Sequence, residues 1–84
     1  HYALAYYNRG KIYDKLGDPA KALSDYNKAI EINPKYARAY YNRAIVYNEL
    51  KEYDKALADV HRAEELGVVV NPEFLSALGK AAVL

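Results

Sequence analysis

An all-α fold, two stacked helix hairpins followed by one closing helix, is what this sequence predicts, and three observations predict it. The tetrapeptide Tyr-Tyr-Asn-Arg stands at Tyr6–Arg9 and again at Tyr40–Arg43, 34 residues further on. Aligning Ala3–Ile32 with Ala37–Leu66 leaves 14 of 30 positions identical, apolar and polar alike, so one structural unit is used twice. Within each copy, apolar residues recur at helical spacing and are broken at matching places by turn-forming residues.

The elements follow in chain order. Leu4, Ala5, Ile12, Tyr13 and Leu16 recur at helical spacing in the first segment, and Gly17 stops it. Asp18 is placed to cap a second helix, with Pro19 at its first position, where a missing N–H costs nothing. That helix carries Ala22, Leu23, Tyr26, Ala29, Ile30 and Ile32, and Asn33-Pro34 closes it, because proline disfavours helical geometry in the residue before it. The pair recurs from about Tyr36 to Leu50 and from about Tyr53 to Leu66, with Gly67 as a left-handed stop. Val68-Val69-Val70 is a short apolar connector, and Asn71-Pro72-Glu73 opens one further helix. Its Phe74, Leu75, Leu78 and Ala82 share a face, so it reads as a lid over the second hairpin. The expected boundaries are 2–35 and 36–67 for the two units and 71–84 for the lid, within one domain of residues 1–84.

Small residues have a physical reason in such a stack. Gly10, Ala44, Ala22, Ala56, Ala29 and Ala63 stand where paired helices approach most closely, and Tyr13, Tyr47, Tyr26 and Val60 fill the space between those contacts. Arg9 and Asp25, like Arg43 and Asp59, are 16 residues apart, first helix to second. The spacing predicts a partly buried salt bridge inside each hairpin; the alternative is two independently solvated charges.

These residues resemble the tetratricopeptide repeat. The 34-residue period is that of the family, and its signature is recognisable twice. The first unit has Tyr6-x2-Arg9-Gly10-x2-Tyr13, then Gly17-Asp18, Ala22-x3-Tyr26, Ala29 and Pro34. The second has Tyr40-x2-Arg43-Ala44-x2-Tyr47, then Ala56-x3-Val60 and Ala63. Tyrosine replaces the usual tryptophan, arginine replaces leucine, and Val68 stands where the second closing proline would be. The resemblance implies a right-handed solenoid of antiparallel hairpins with a terminal solvating helix. It also implies a concave face, lined by the first helix of each hairpin, that binds a peptide or a partner helix as part of a scaffold or multi-protein complex.

On that face the resemblance places Leu4, Tyr7, Asn8, Lys11 and Asp14 from the first unit, and Arg38, Tyr41, Asn42, Ile45, Asn48 and Glu49 from the second. Asparagine can both donate to and accept from a peptide backbone, and tyrosine adds contact area at low entropy cost. Tyrosine is intermediate in burial, so Tyr7 and Tyr41 admit two placements, core or groove, whereas Tyr6 and Tyr40 are assigned to the core. Some family members hold a partner's terminal carboxylate with asparagines and basic residues here. Asn8 or Asn42 matches such an asparagine and Arg38 such a basic residue. Tyr7, however, stands in place of a lysine and Lys11 in place of an asparagine, and two repeats replace three. General peptide or protein binding is therefore expected rather than carboxylate clamping.

Composition narrows the remaining classes. Lysine and arginine total 12 against 11 acidic residues, a net charge of +1, without the clustered basic excess of a nucleic-acid binder. No apolar run is long enough for a membrane span and no leader is visible; the compartment stays open, with the cytoplasm slightly favoured. Opening without methionine, where a helix is about to start, the chain reads as a segment of a longer protein. Cysteine is absent, His1 and His61 lack metal-ligand spacing, and Ser24 and Ser76 have no histidine at a suggestive spacing. The four glycines form no phosphate loop. A non-enzyme without metal or cofactor is expected. One further reading stays open: two repeats leave apolar flanks, including Tyr2, Tyr6 and the terminal helix, on which a second copy could stack head-to-tail or by exchange of a helix.

Overall fold

The computed structural model describes residues 2–83; expectations resting on His1 or Leu84 lie outside the described residues. Five helices follow one another: α1 (Tyr2–Lys15), α2 (Pro19–Ile32), α3 (Ala37–Glu49), α4 (Tyr53–Glu65) and α5 (Pro72–Ala82). They form an all-α stack in which α1 packs on α2, α2 on α3, α3 on α4 and α4 on α5. The boundaries follow local chemistry. Asp18 caps α2 by accepting from the Lys21 amide, with Pro19 directly behind it. Asn71 caps α5 by accepting from the Glu73 amide. Gly17 (φ +78°) and Gly67 (φ +102°) turn the chain in the left-handed region after α1 and α4. Lys51, 34 residues after Gly17, takes the same left-handed turn (φ +61°) with a side chain attached.

Two apolar clusters lie between the helices. The first joins Tyr7 of α1, Ala22, Tyr26 and Ala29 of α2, and Ala39 and Val46 of α3. The second joins Ala44, Ala56, Val60, Val70 and Leu78, with Phe74 and Leu75 packed against it, so α5 closes the second hairpin as a lid. The small residues are matched to what faces them. A Cβ built on Gly10 would come within 2.7 Å of the Tyr26 ring. The second hairpin carries Ala44 there, and its opposite number is the smaller Val60. A large ring needs glycine across from it, and a valine leaves room for a methyl.

The apolar face expected of α1 requires correction. Ala3, Tyr7 and Gly10 are its buried residues. Leu4, Ala5, Ile12 and Leu16, read as the core stripe, are exposed, and only Tyr13 of that set packs inward. The reason is position in the stack. Among the described residues α3 packs against both α2 and α4, whereas α1 packs mainly against α2 and only sparsely against α3. Tyr6 and Tyr40, assigned to the core, are half-buried.

Both predicted salt bridges are present and bidentate. Arg9 Nε and Nη2 donate to the two Asp25 carboxylate oxygens, each at 2.8 Å. Arg43 Nε and Nη2 donate to Asp59, each at 2.7 Å. Both carboxylates are buried, but the arginine side chains differ, 57% exposed for Arg9 and 19% for Arg43. Asn27 of α2 accounts for part of the difference, accepting from Arg43 Nη1 at 2.9 Å.

Two stability predictions follow from these contrasts. Arg43→Ala leaves Asp59 buried without a partner and is expected to cost about 3 kcal/mol in urea unfolding. Arg9→Ala is expected to cost clearly less, because water reaches Asp25 where the exposed arginine stood. Equal costs would contradict this account. Lys51→Gly relieves the left-handed strain and is expected to raise stability by about 0.5–1 kcal/mol, read from the same urea midpoints.

Candidate functional site between helices 1 and 3

α1 and α3 run side by side, and their facing stripes are joined at two points. Asn42 Nδ2 donates to the Tyr7 hydroxyl at 2.9 Å. Nearer the C-terminal ends, the Glu49 carboxyl meets that of Asp14. Both contacts link residues 35 positions apart, so the stripes are in register. Positions i, i+3/i+4 and i+7 of a helix share a face, which is why Leu4, Asn8 and Lys11 accompany Tyr7 and why Arg38, Tyr41 and Ile45 accompany Asn42.

The expected site residues differ in how they meet solvent. Leu4, Asn8, Lys11 and Arg38 are exposed, and Tyr41, Asn42 and Ile45 are half-buried. Tyr7 is in the core. Its ring packs between Tyr26, at 6.0 Å, and Tyr36, at 5.0 Å between centroids. Of the two placements open to it, Tyr7 takes the core, and the groove keeps only its hydroxyl, held by Asn42, and the part of its ring that lies under the Lys11 ammonium, 4.9 Å from the centroid. Tyr41 is covered less completely, meeting Phe74 of α5 edge-on at 6.2 Å. A hollow of about 280 Å³ beside the groove is lined by Ala3, Leu4, Asn33 and Tyr36.

Charge changes sign along this face. Arg38 lies in the first turn of α3 and Lys11 in the C-terminal half of α1, while Asp14 and Glu49 lie in the last turns. Burial pushes the Glu49 carboxyl above the usual carboxylate range, and the charge of Asp14 and a hydrogen bond with it add to the effect. Helix C-termini carry the negative end of the macrodipole, an unfavourable place for two carboxylates. The sequence reading placed both residues on this face but missed their mutual contact. Its signal was a pair of acids 35 positions apart in a 34-residue repeat.

Comparison with known proteins joins this geometry to the repeat signature. Two sequence profiles, both described as Tetratricopeptide repeat, match residues 3–36 and 25–58. This chain belongs to the tetratricopeptide repeat family. The tetratricopeptide stack seen here superimposes on the first TPR of Spaghetti (RPAP3), a structure bound to the HSP90 peptide SRMEEVD, with TM-score 0.91 and 27% identity over 98% of this chain and 67% of that one. It also matches the N-terminal domain of stress-induced protein-1 from C. elegans, with TM-score 0.74 and 29% identity over 95% of this chain and 65% of that one. The chain thus spans about two thirds of the length of these relatives. No curated protein sequence matches it.

The acidic pair gives this tetratricopeptide face a pH signature. A carboxyl whose pKa is raised only in the folded state costs stability once it ionises, so stability falls as pH rises through the ordinary carboxylate range. Glu49→Gln is expected to stabilise the fold at neutral pH by roughly a few tenths of a kcal/mol at most, because the group is solvent-screened, read as a small rise in the thermal midpoint. The gain should vanish below about pH 4, where Glu49 is protonated in both states. A gain independent of pH would show that charge is not its source.

Proposed function

We propose that this chain is a non-catalytic interaction module that binds an extended, acidic peptide segment of a partner protein along the α1–α3 face, as part of a scaffold or multi-protein assembly. The observation that carries the proposal is the pairing, on one solvent-open face, of two cations with side-chain amides held on rigid helices. Arg38 and Lys11 are exposed, and each engages no carboxylate among the described residues. Asn8 is exposed beside them, and Asn42 is oriented by its bond to Tyr7. Peptide N–H and C=O groups need both donors and acceptors, which these amides supply. The hollow beside Leu4 has room for an apolar side chain of the peptide. A related tetratricopeptide domain holds the acidic peptide SRMEEVD, which supports the reading by likeness. Two repeats present a small interface, so affinity is expected to be modest and strongly salt-dependent.

The probe is the peptide SRMEEVD, titrated by calorimetry with helicity followed on the same samples. Asn8→Ala and Asn42→Ala are each expected to lose binding with helicity retained. Arg38→Glu is expected to weaken it at least tenfold, about 1.4 kcal/mol, at low salt. Unchanged binding in the two asparagine variants would sink the groove reading.

A further inference from the structure

The bond between Asn42 and Tyr7 fixes the register of α1 against α3, and two turns further on each helix carries an acid. Residues seven apart share a face, so Asp14 follows Tyr7, Glu49 follows Asn42, and the two carboxyls meet. Neither forms a salt bridge among the described residues. Lys11, one turn before Asp14, lies over the Tyr7 ring instead. A third polar group comes from α2. Between Tyr7 and Asp14 the same face of α1 carries Gly10, where a Cβ would meet the Tyr26 Cε1, Cδ1 and Cζ atoms at 2.7, 2.9 and 3.2 Å. The missing side chain lets the phenol end of Tyr26 reach the α1–α3 face. Tyr26 is 1% exposed, and its hydroxyl forms no hydrogen bond among the described residues. No sealed polar side-chain atom is left unpaired among them, so this hydroxyl is the edge of Tyr26 that stays open. Burial, then the charge of Asp14, then Tyr7 and Glu49 push the phenol well above its ordinary range, which keeps it neutral beside the acidic pair. The second hairpin has Val60 in place of Tyr26 and no such hydroxyl.

We propose that Asp14, Glu49 and the Tyr26 hydroxyl form a receptor for one basic side chain, lysine or arginine. Two carboxylates at the negative ends of two helices cost stability, and a positive charge between them removes that cost. Their oxygens and the phenol oxygen suit the three donors of an ammonium or the fork of a guanidinium. A divalent cation takes about six oxygens, and no third acid, histidine or cysteine joins the pair among the described residues. That the basic side chain belongs to a bound peptide rests on the function proposed above and narrows it: the ligand is bipolar rather than uniformly acidic. Arg38 and Glu49 are 11 residues apart on α3, about 16 Å along its axis, a span that an extended chain covers in about five residues. The ligand's basic residue is therefore expected about five positions from the acidic residue that meets Arg38.

The test titrates the whole chain, isotope-labelled, with N-acetyl-arginine amide and, separately, with N-acetyl-citrulline amide, its uncharged isostere. The carboxyl carbons of Asp14 and Glu49 and the ring signals of Tyr26 are expected to shift with arginine and not with citrulline, saturating at tens of millimolar. Glu49→Gln is expected to weaken arginine binding roughly fivefold in a fold that is no less stable, which separates loss of charge from loss of structure. Tyr26→Phe keeps the ring and is expected to weaken it a few-fold. In a second arm the peptide titrated above is compared with a form whose arginine is replaced by alanine. The replacement is expected to lower affinity for the unaltered chain and not for Glu49→Gln. Shifts that are absent, that citrulline reproduces or that survive Glu49→Gln would each overturn the receptor. Displacement of the arginine probe by equimolar calcium would assign the pair to a metal and overturn it too. Arginine binding at the pair without any binding of the peptide would sink the groove and uphold the receptor. Peptide binding indifferent to its arginine would uphold the groove and overturn the receptor.

Discussion

Two carboxylates, Asp25 and Asp59, are buried where the second helix of each hairpin meets the first, and the rest of the structure depends on an arginine reaching them. A buried carboxylate that loses its partner costs about 3 kcal/mol where water cannot reach it, as at Asp59, and less where water can, as at Asp25, in either case a sizeable share of the stability of a small domain. Each hairpin is therefore favoured in the register that brings Arg9 or Arg43 opposite the acid 16 residues later. The arginine is fixed in turn by its flanks. Arg9 lies 5.6 and 5.8 Å from the Tyr6 and Tyr13 ring centroids, and Arg43 lies 5.5 and 5.8 Å from those of Tyr40 and Tyr47. This explains the repeated Tyr-Tyr-Asn-Arg. Its first tyrosine and its arginine close the hairpin, while its second tyrosine and its asparagine turn toward the α1–α3 face.

Identical residues acquire different properties from their neighbours. Tyr7 is sealed by Tyr36 because a third helix begins beside it, whereas Tyr41 meets Phe74 of a shorter, more apolar helix and stays half-exposed. Arg9 and Arg43 make the same two bonds to aspartate, yet one is open to water and the other is covered by α2. Stacked repeats behave this way because each unit contributes half of two joints, and what completes a joint is its neighbour.

Features set by local chemistry were legible in the sequence. Asp18-Pro19 and Asn71-Pro72 start helices whatever surrounds them, and Gly17 and Gly67 stop them, as their backbone angles show. The Arg–Asp pairs were legible because the spacing of 16 occurs twice, and a recurrence filters out coincidence. Periodicity failed on α1. It counts apolar residues on a helix without knowing which sides are covered, so Leu4, Ile12 and Leu16 scored as core although nothing packs upon them. On the candidate site, the stripe of residues was readable from the repeat register, but the burial of Tyr7 and the contact between Asp14 and Glu49 depend on how closely two non-adjacent helices approach. Lys51 shows the same limit from the other direction. A lysine announces no left-handed turn, and only its alignment with Gly17 would have revealed one.

Under the proposed function, the arrangement of charge on the α1–α3 face would restrict how an acidic peptide lies there. Exposed Arg38, in the first turn of α3, would attract acidic groups toward the N-terminal end of the face, where the positive ends of the helix dipoles act in the same direction, while Lys11 stands nearer the acidic end, three residues before Asp14. Asp14 and Glu49 repel them from the other end, and that pair is itself reluctant to carry two charges. An acidic peptide placed with its carboxylates over the acidic pair would force like charges together, which costs more than the loss of a favourable contact. On the proposed reading, direction of binding would be selected by exclusion at one end as much as by attraction at the other. The amides between them, Asn8 and Asn42, can bond a peptide backbone running in either sense, so polarity on this face must come from the charged ends.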